Sequence, residues 1–112
     1  MGDNVKKTII DKLFCVKVIV LYGRPWAELV KVAKQEKIYK HIENEKENAG
    51  LSVKIADSKF IVWTETKDFN TLSHELLHVV NDVLLSHNIN LSRETEEIYC
   101  YYMDFWVREV TT

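Results

Sequence analysis

The segment TLSHELLHVVNDVLLS, residues 71–86, carries the clearest structural signal in this 112-residue chain. Its apolar side chains recur three and four positions apart, which is the spacing that gives an α-helix one apolar face. Asn70 stands before the segment as the expected N-cap, and Asn88 stands beyond it as the expected left-handed C-cap. We therefore predict one helix that runs from Asn70 to about His87.

Within this helix, the sequence His74-Glu75-Leu76-Leu77-His78 places two histidines four positions apart, on one face. Two imidazoles in this arrangement can bind one zinc ion. Glu75 is rotated about 100° from His74 around the helix, near enough to act on a metal-bound water. Zinc lowers the pKa of such a water to roughly 7, so Glu75 can take its proton as the water attacks a carbonyl. The motif predicts a zinc-dependent hydrolase.

A third metal ligand is expected on the next helix, because this sequence lacks the extended motif HExxHxxGxxH, which would supply a third histidine from the same segment. Ser92 can cap that helix, and its first turn carries three carboxylates. Spacing alone permits more than one of them to approach the zinc. Orientation favours Glu97, because Glu96 is turned about 100° away and Glu94 lies nearer the frayed helix end.

The rest of the chain predicts a small sheet. Residues 14–22 are apolar and rich in β-branched side chains, which indicates a buried strand. Pro25 suits the first turn of a long amphipathic helix that ends near Gly50. Residues 51–55 and 60–64 then form a predicted hairpin. The order strand, helix, hairpin, helix, helix predicts a single α+β domain over residues 1–112, in which a small mixed sheet packs on a long helix.

The charge and hydropathy of the chain exclude several classes of protein. The formal net charge is −2, and residues 57–112 contain 10 acidic against 4 basic residues. A nucleic-acid-binding domain needs a basic surface, so we expect no nucleic-acid partner. No run of about 18 uninterrupted apolar residues is present, so we expect no membrane span and a cytoplasmic protein.

No targeting or redox motif changes this picture. The apolar run 13–21 is interrupted by Lys17 and is predicted to be a strand, not a signal peptide. Lys6 stands where a myristoylation signal needs Ser or Thr, so Gly2 is not expected to be acylated. Two cysteines far apart in sequence are expected to be free thiols: Cys15 and Cys100.

The stretch from His74 to Asp82 resembles the zinc helix of the gluzincin, or thermolysin-like, clan, including an Asp four residues after the second histidine. Residues 60–105 look still more like small metallopeptidases encoded by phages and prophages. In that family an edge strand ends in an aromatic residue, a short loop leads into HExxH, and a Glu with a Tyr four residues later opens the next helix. The resemblance implies a minimal zincin-like fold, bound Zn²⁺, and Glu97 as the third ligand.

The resemblance also has a departure. The clan's namesake carries an Asp four residues after its ligand Glu, where this chain has Tyr101, so support for a ligand histidine must come from elsewhere. Asp82 shares a face with His78 and can accept its ring N–H, and its equal alternative is a solvent-facing acid. Tyr101 can hydrogen-bond a bound carbonyl or an oxyanion, and its alternative role is packing in the core.

Two functions follow from these expectations. The first is a zinc peptidase in which residues 60–64 form an edge strand of the sheet, along which a peptide or protein substrate binds while Glu75-assisted attack of water hydrolyses an amide. Its substrate-binding residues would then be the end of that strand: Val62, Trp63 and Thr64. The alternative is a non-catalytic phage module in which zinc stabilises the fold and the surface binds a host or phage protein.

Overall fold

The computed structural model describes residues 5–112, so Gly2 lies outside the described residues. These residues form a four-stranded sheet and three α-helices, which confirms the α+β class. A short 3-10 turn spans Tyr39–His41. In chain order the elements are β1 (Val5–Asp11), β2 (Val16–Tyr22), α1 (Trp26–Gln35), β3 (Gly50–Ala56), β4 (Lys59–Thr64), α2 (Phe69–Ser86) and α3 (Glu96–Thr111).

The strand order in the sheet is β1-β2-β4-β3. β1 pairs with β2, and β3 pairs with β4, in the antiparallel sense. β2 and β4 are parallel neighbours, and the connection between them runs through α1 and then β3. The prediction that residues 60–64 form an edge strand is therefore wrong. β4 lies inside the sheet, and β3 forms the edge.

The sheet separates two apolar cores. On one face, alternate side chains of β2 and β4 pack against α1; on the other, the intervening side chains pack against α2 and α3. Two tryptophans with no exposed surface mark these cores, Trp63 on the α1 side and Trp106 of α3 on the opposite side. Burial of such large apolar surfaces on both faces supplies the main driving force for this fold.

Two elements differ from the sequence prediction. β1 was not predicted, and it adds a second edge strand before the predicted first strand, which begins at Val16 and not at residue 14. The first helix ends at Gln35, well short of Gly50. Lys37 adopts a left-handed backbone with φ 63°, and the Ile38 N–H bonds to the Ala33 carbonyl at 2.9 Å, which closes the helix end.

Helix α2 begins two residues earlier than predicted from an N-cap at Asn70 and ends one residue before the predicted end near His87. Its N-cap is Asp68, not Asn70, because the Asp68 carboxylate accepts hydrogen bonds from the Asn70 N–H and the Thr71 hydroxyl. The Thr71 bond is the main reason why the pKa of Asp68 lies below its ordinary value. Asn88 has φ 61°, which confirms the predicted left-handed residue beyond the helix.

Candidate functional site

Helix α2 presents the histidine motif at the surface. Its apolar face is buried against β2, β4 and α3, and the buried residues include Leu72, Leu76, Val79, Val80 and Val83. His74 and His78 lie on the opposite side of the helix and are exposed. Their ring centroids are 4.9 Å apart and their ring planes are inclined by 81°. The periodicity that buries one face of α2 thus brings the two imidazoles together on the other.

The histidine pair fits the ligand role that the sequence predicts. Neither ring forms a hydrogen bond or ion pair with another described residue, so both retain a nitrogen lone pair for a metal. Two rings at this separation can turn toward one zinc ion at the usual Zn–N distance of about 2.0–2.1 Å. Two of the donors that a zinc site needs are therefore in place.

Glu75 occupies a different environment from the two histidines. Its side chain is only 8% exposed, and it lines two adjoining grooves between α2 and the segment that enters β3. It forms no side-chain hydrogen bond or ion pair with any residue among 5–112. Its carboxylate oxygens are not among the buried polar atoms that lack a partner, so the carboxylate opens into the grooves, where water or a bound group can reach it.

Gly50 allows this close packing at the start of β3. A Cβ atom at Gly50 would lie 2.7 Å from Thr71 Cγ2, 3.0 Å from the Trp63 carbonyl oxygen and 3.3 Å from Glu75 Cγ. Only glycine lets the β3 backbone approach α2 this closely beside Glu75. Gly50 was predicted only as the end of the first helix. A glycine that opens an alternating strand was the signal that the backbone also approaches a neighbouring element closely here.

The larger of the two grooves, about 540 Å³, runs between the edge strand β3 and α2. Its lining includes Glu75 and His78, and Lys54 of β3 reaches across it to Asp82. Lys54 Nζ lies 3.1 Å from Asp82 Oδ1. The carboxylate that was expected to support His78 is thus engaged by Lys54, and the ion pair joins β3 to α2.

The predicted substrate-binding residues do not face this groove. Val62, Trp63 and Thr64 lie in the interior strand β4 and have no exposed surface. The Trp63 indole donates to the Arg24 carbonyl at 2.7 Å, and Thr64 Oγ1 accepts from the Gly23 N–H at 2.9 Å. These contacts belong to the α1 core and the β2 end, so the assignment of these residues to a cleft is wrong.

The residues predicted on the last helix lie apart from the histidine pair. The helix begins at Glu96, with Thr95 and not Ser92 at the N-cap position. Glu97 is exposed, and Tyr101, 70% exposed, lies on the same outer side of α3. Tyr99 instead faces α2 and lines a pocket with both histidines, which puts Glu97 about 160° away around the helix.

The donor set is therefore incomplete as the side chains stand. In the described part of the chain, no group of three or more His, Cys, Asp or Glu side chains is placed to hold a metal ion. Among the three acids near the start of α3, Glu96 lines the groove beside Leu77, whereas Glu94 and Glu97 line none of the grooves around the histidines. The two histidines and Glu75 are brought together, and Glu97 and Tyr101 are not.

Two further observations concern the helices and the cysteines. None of the helices within residues 5–112 combines the length and apolarity needed to cross a bilayer. Cys15 and Cys100 are both exposed and free of disulfide bonds.

No protein-family model matches this chain, and no curated protein or solved structure is significantly similar to it.

Proposed function

We propose that this protein is a zinc-dependent hydrolase that cleaves peptide bonds. The observation that carries the proposal is the position of Glu75: its carboxylate opens, without a protein partner among the described residues, into a groove that His78 also lines, one residue from His74. A group of this kind, beside two imidazoles free to bind a metal, is suited to general-base chemistry.

His74 and His78 would hold the zinc ion, and Glu97 is the proposed third ligand. Zinc, when bound, would supply a water of lowered pKa. Because Glu97 now points away from α2, its role requires the first turn of α3 to rotate. Most side chains from Glu94 to Ile98 are exposed, so this rotation would break few packing contacts.

Glu75 would act as the general base. Its carboxylate opens into the groove and has no protein partner within residues 5–112, so it can accept a proton from a water held there. Gly50 leaves room beside Glu75, because a Cβ atom at Gly50 would lie 3.3 Å from Glu75 Cγ. Tyr101, the proposed oxyanion stabiliser, lies beyond that first turn between the buried Tyr99 and Tyr102, so it would need a larger movement of α3 than Glu97.

An extended peptide or protein segment is the proposed substrate. β3 is a sheet edge, and its unpaired backbone groups border the groove that contains Glu75. A peptide can add to such an edge as a further strand, so that its scissile carbonyl passes beside Glu75 and His78. This replaces the interior strand β4 as the expected substrate-binding strand.

A second candidate is a zinc-stabilised phage module without catalysis, which binds a host or phage protein. Two exposed apolar side chains beside the histidines favour it: Leu77 and Leu91. For either candidate, the resemblance of residues 60–105 to phage-encoded metallopeptidases supports a place in the bacterial cytoplasm. The two candidates differ in whether a metal position stays open to water.

Metal analysis combined with peptide-library cleavage tests the proposal. In excess zinc the wild-type protein is expected to bind about one ion per chain and to cleave extended peptides. Glu75→Gln is expected to retain the ion and to lose cleavage, because an amide cannot accept the proton. Glu65→Gln, which changes an exposed acid outside the grooves, is the control. Cleavage by Glu75→Gln at the wild-type rate would overturn the mechanism.

A further inference from the structure

The surface around the histidine pair is apolar and open. Leu77 lies between the two histidines on the exposed side of α2 and is 52% exposed, and Leu91, 65% exposed, lies beside it. Both leucines line a pocket of about 280 Å³ together with both histidines and Tyr99. Apolar side chains exposed beside imidazoles that have no protein partner in the described chain are typical of a surface that another molecule covers.

This pocket continues into a second groove between α2 and α3, of about 530 Å³. Leu77, Leu91 and Tyr99 line both, and Met103 and Val107 extend the apolar lining along α3. The combined space can accommodate a leucine side chain from outside. Leu77 itself projects at the mouth of that space, so the surface carries both a protruding apolar group and a cavity that can receive it.

The metal chemistry specifies what can cover this surface. Structural zinc sites are almost always four-coordinate, and one copy of this chain presents two donors. A second copy related by a twofold axis through the ion would present the same two imidazoles. In such an isologous contact, each copy's protruding group meets the other copy's cavity.

We propose that one zinc ion can be shared by two copies of this chain, with His74 and His78 of each copy as its four ligands. Leu77 of each copy then inserts into the apolar space beside Leu91 and Tyr99 of the other. The proposal rests on the proposed function in one respect, that the histidine pair binds zinc. It adds a second binding mode in which Glu97 plays no part.

Charge also favours a dimer that needs the ion. The acidic side chains that line this surface are Glu96 and Asp104, and no Lys or Arg among the described residues lines it. Two such surfaces repel each other, and a divalent cation between them offsets the repulsion. Four neutral imidazoles leave its charge uncompensated, so nearby carboxylates such as Glu96 and Asp104 at the groove become favourable neighbours.

The shared site would have a regulatory consequence. Four imidazoles leave no position on zinc for water, so the dimer cannot use the proposed mechanism. Zinc in excess would give each chain its own ion and separate the copies. The ratio of zinc to protein would therefore select between a closed dimer and an open monomer.

Sedimentation of the metal-free full-length chain during a zinc titration tests this proposal. We expect a dimer that is most abundant at about one zinc per two chains and that dissociates again in zinc excess. His74→Ala should abolish the dimer. Leu77→Ser should weaken it by roughly 10- to 100-fold, because the symmetric contact loses two leucines, each of which would bury the half of its side chain that is now exposed. His87→Ala and Leu13→Ser change an exposed histidine and an exposed leucine away from this surface and serve as controls.

Each other outcome is decisive. A protein that stays monomeric and binds one zinc per chain throughout the titration overturns the shared site and leaves the proposed function intact. Absence of zinc binding refutes both. A dimer that forms without zinc, or one that survives in His74→Ala, also overturns the proposal, because its contacts would not depend on the shared ion.

Discussion

Tyr102 of α3 donates its phenol hydrogen to Asp11 Oδ2 at 2.7 Å, across 91 positions of sequence. Both side chains are buried, and the same carboxylate accepts the backbone N–H groups of Leu13 and Phe14. Asp11 thus ties the turn between β1 and β2 to the last helix. We expect Tyr102→Phe to lower the free energy of unfolding by about 1–3 kcal/mol, because it leaves a buried carboxylate with one bond fewer. Urea denaturation measures this, with the exposed Tyr101→Phe as the control.

The same pair predicts a loss of stability in alkaline solution. Burial, and then the hydrogen bond to Asp11, raises the pKa of Tyr102 above its ordinary value of 10.0. A raised pKa in the folded state gives stability that is fully present below pH 10 and is lost as the pH rises above 10. Urea denaturation between pH 8 and about 11 should show this decline. Tyr102→Phe should reduce the slope without abolishing it, since burial also raises the pKa of Tyr22; an unchanged slope would contradict the assignment.

Gly50→Ala should destabilise the protein by about 1–3 kcal/mol, because the new Cβ would lie 2.7 Å from Thr71 Cγ2 and 3.0 Å from a backbone oxygen. Thr71→Ser removes the clashing methyl group and keeps the hydroxyl that bonds to Asp68. The double variant should therefore recover part of the loss, but not all of it, since the backbone contact remains. Thermal unfolding of the four proteins measures this, and strictly additive effects would show that the two positions do not touch.

Asp82→Asn distinguishes the ion pair of Asp82 with Lys54 from the predicted support of His78 by the same carboxylate. Its partner in the structure is Lys54, and both side chains are more than a third exposed, so we expect a coupling energy of at most about 0.2–1 kcal/mol. Zinc affinity should be unchanged, and Lys54→Met should behave like Asp82→Asn. Unfolding and zinc titrations of both variants check this. A loss of zinc affinity of about 10-fold in Asp82→Asn alone would restore its support of His78.

Single Glu→Ala variants at positions 94, 96 and 97 identify the third ligand, measured in zinc excess so that each chain binds its own ion. We expect a large loss of affinity only in Glu97→Ala, because a missing carboxylate leaves two protein donors. Full affinity in Glu97→Ala would refute that role. A loss confined to Glu96→Ala would transfer the role to the acid that already lines the groove beside Leu77.

The sequence predicted the elements whose own residues determine them. α2 was found within two residues at its start and one at its end, because its apolar period and the left-handed Asn88 are local signals. β1 was missed, because an edge strand with consecutive lysines shows little alternation. α1 was predicted too long, because Lys37 adopts a left-handed backbone that its residue type does not favour.

The position of β4 shows what local patterns leave undetermined. Strand order depends on which segments meet in three dimensions, and residues 60–64 were assigned to an edge from their place before the zinc helix. Their uninterrupted apolar run from Phe60 to Trp63 was the signal for a strand buried on both faces. For the site, the spacing of His74 and His78 was sufficient to place them together. The orientation of Glu97 was not predictable, because it depends on how α3 docks through Tyr99 and Tyr102.

The parallel pairing of β2 with β4 also has a consequence for the order of assembly during folding. β1 with β2, and β3 with β4, are antiparallel pairs joined by short turns, so each can form from neighbouring residues. The parallel pair joins residues such as Gly23 and Thr64, 41 positions apart, and requires closure of the whole intervening loop. This pairing is the step at which most chain entropy is lost. Substitutions between β2 and β4 should therefore slow folding more than those within either hairpin. The groove that contains Glu75 is lined by α2, β3, Phe60 of β4 and Asn48, so it can form before the two hairpins join.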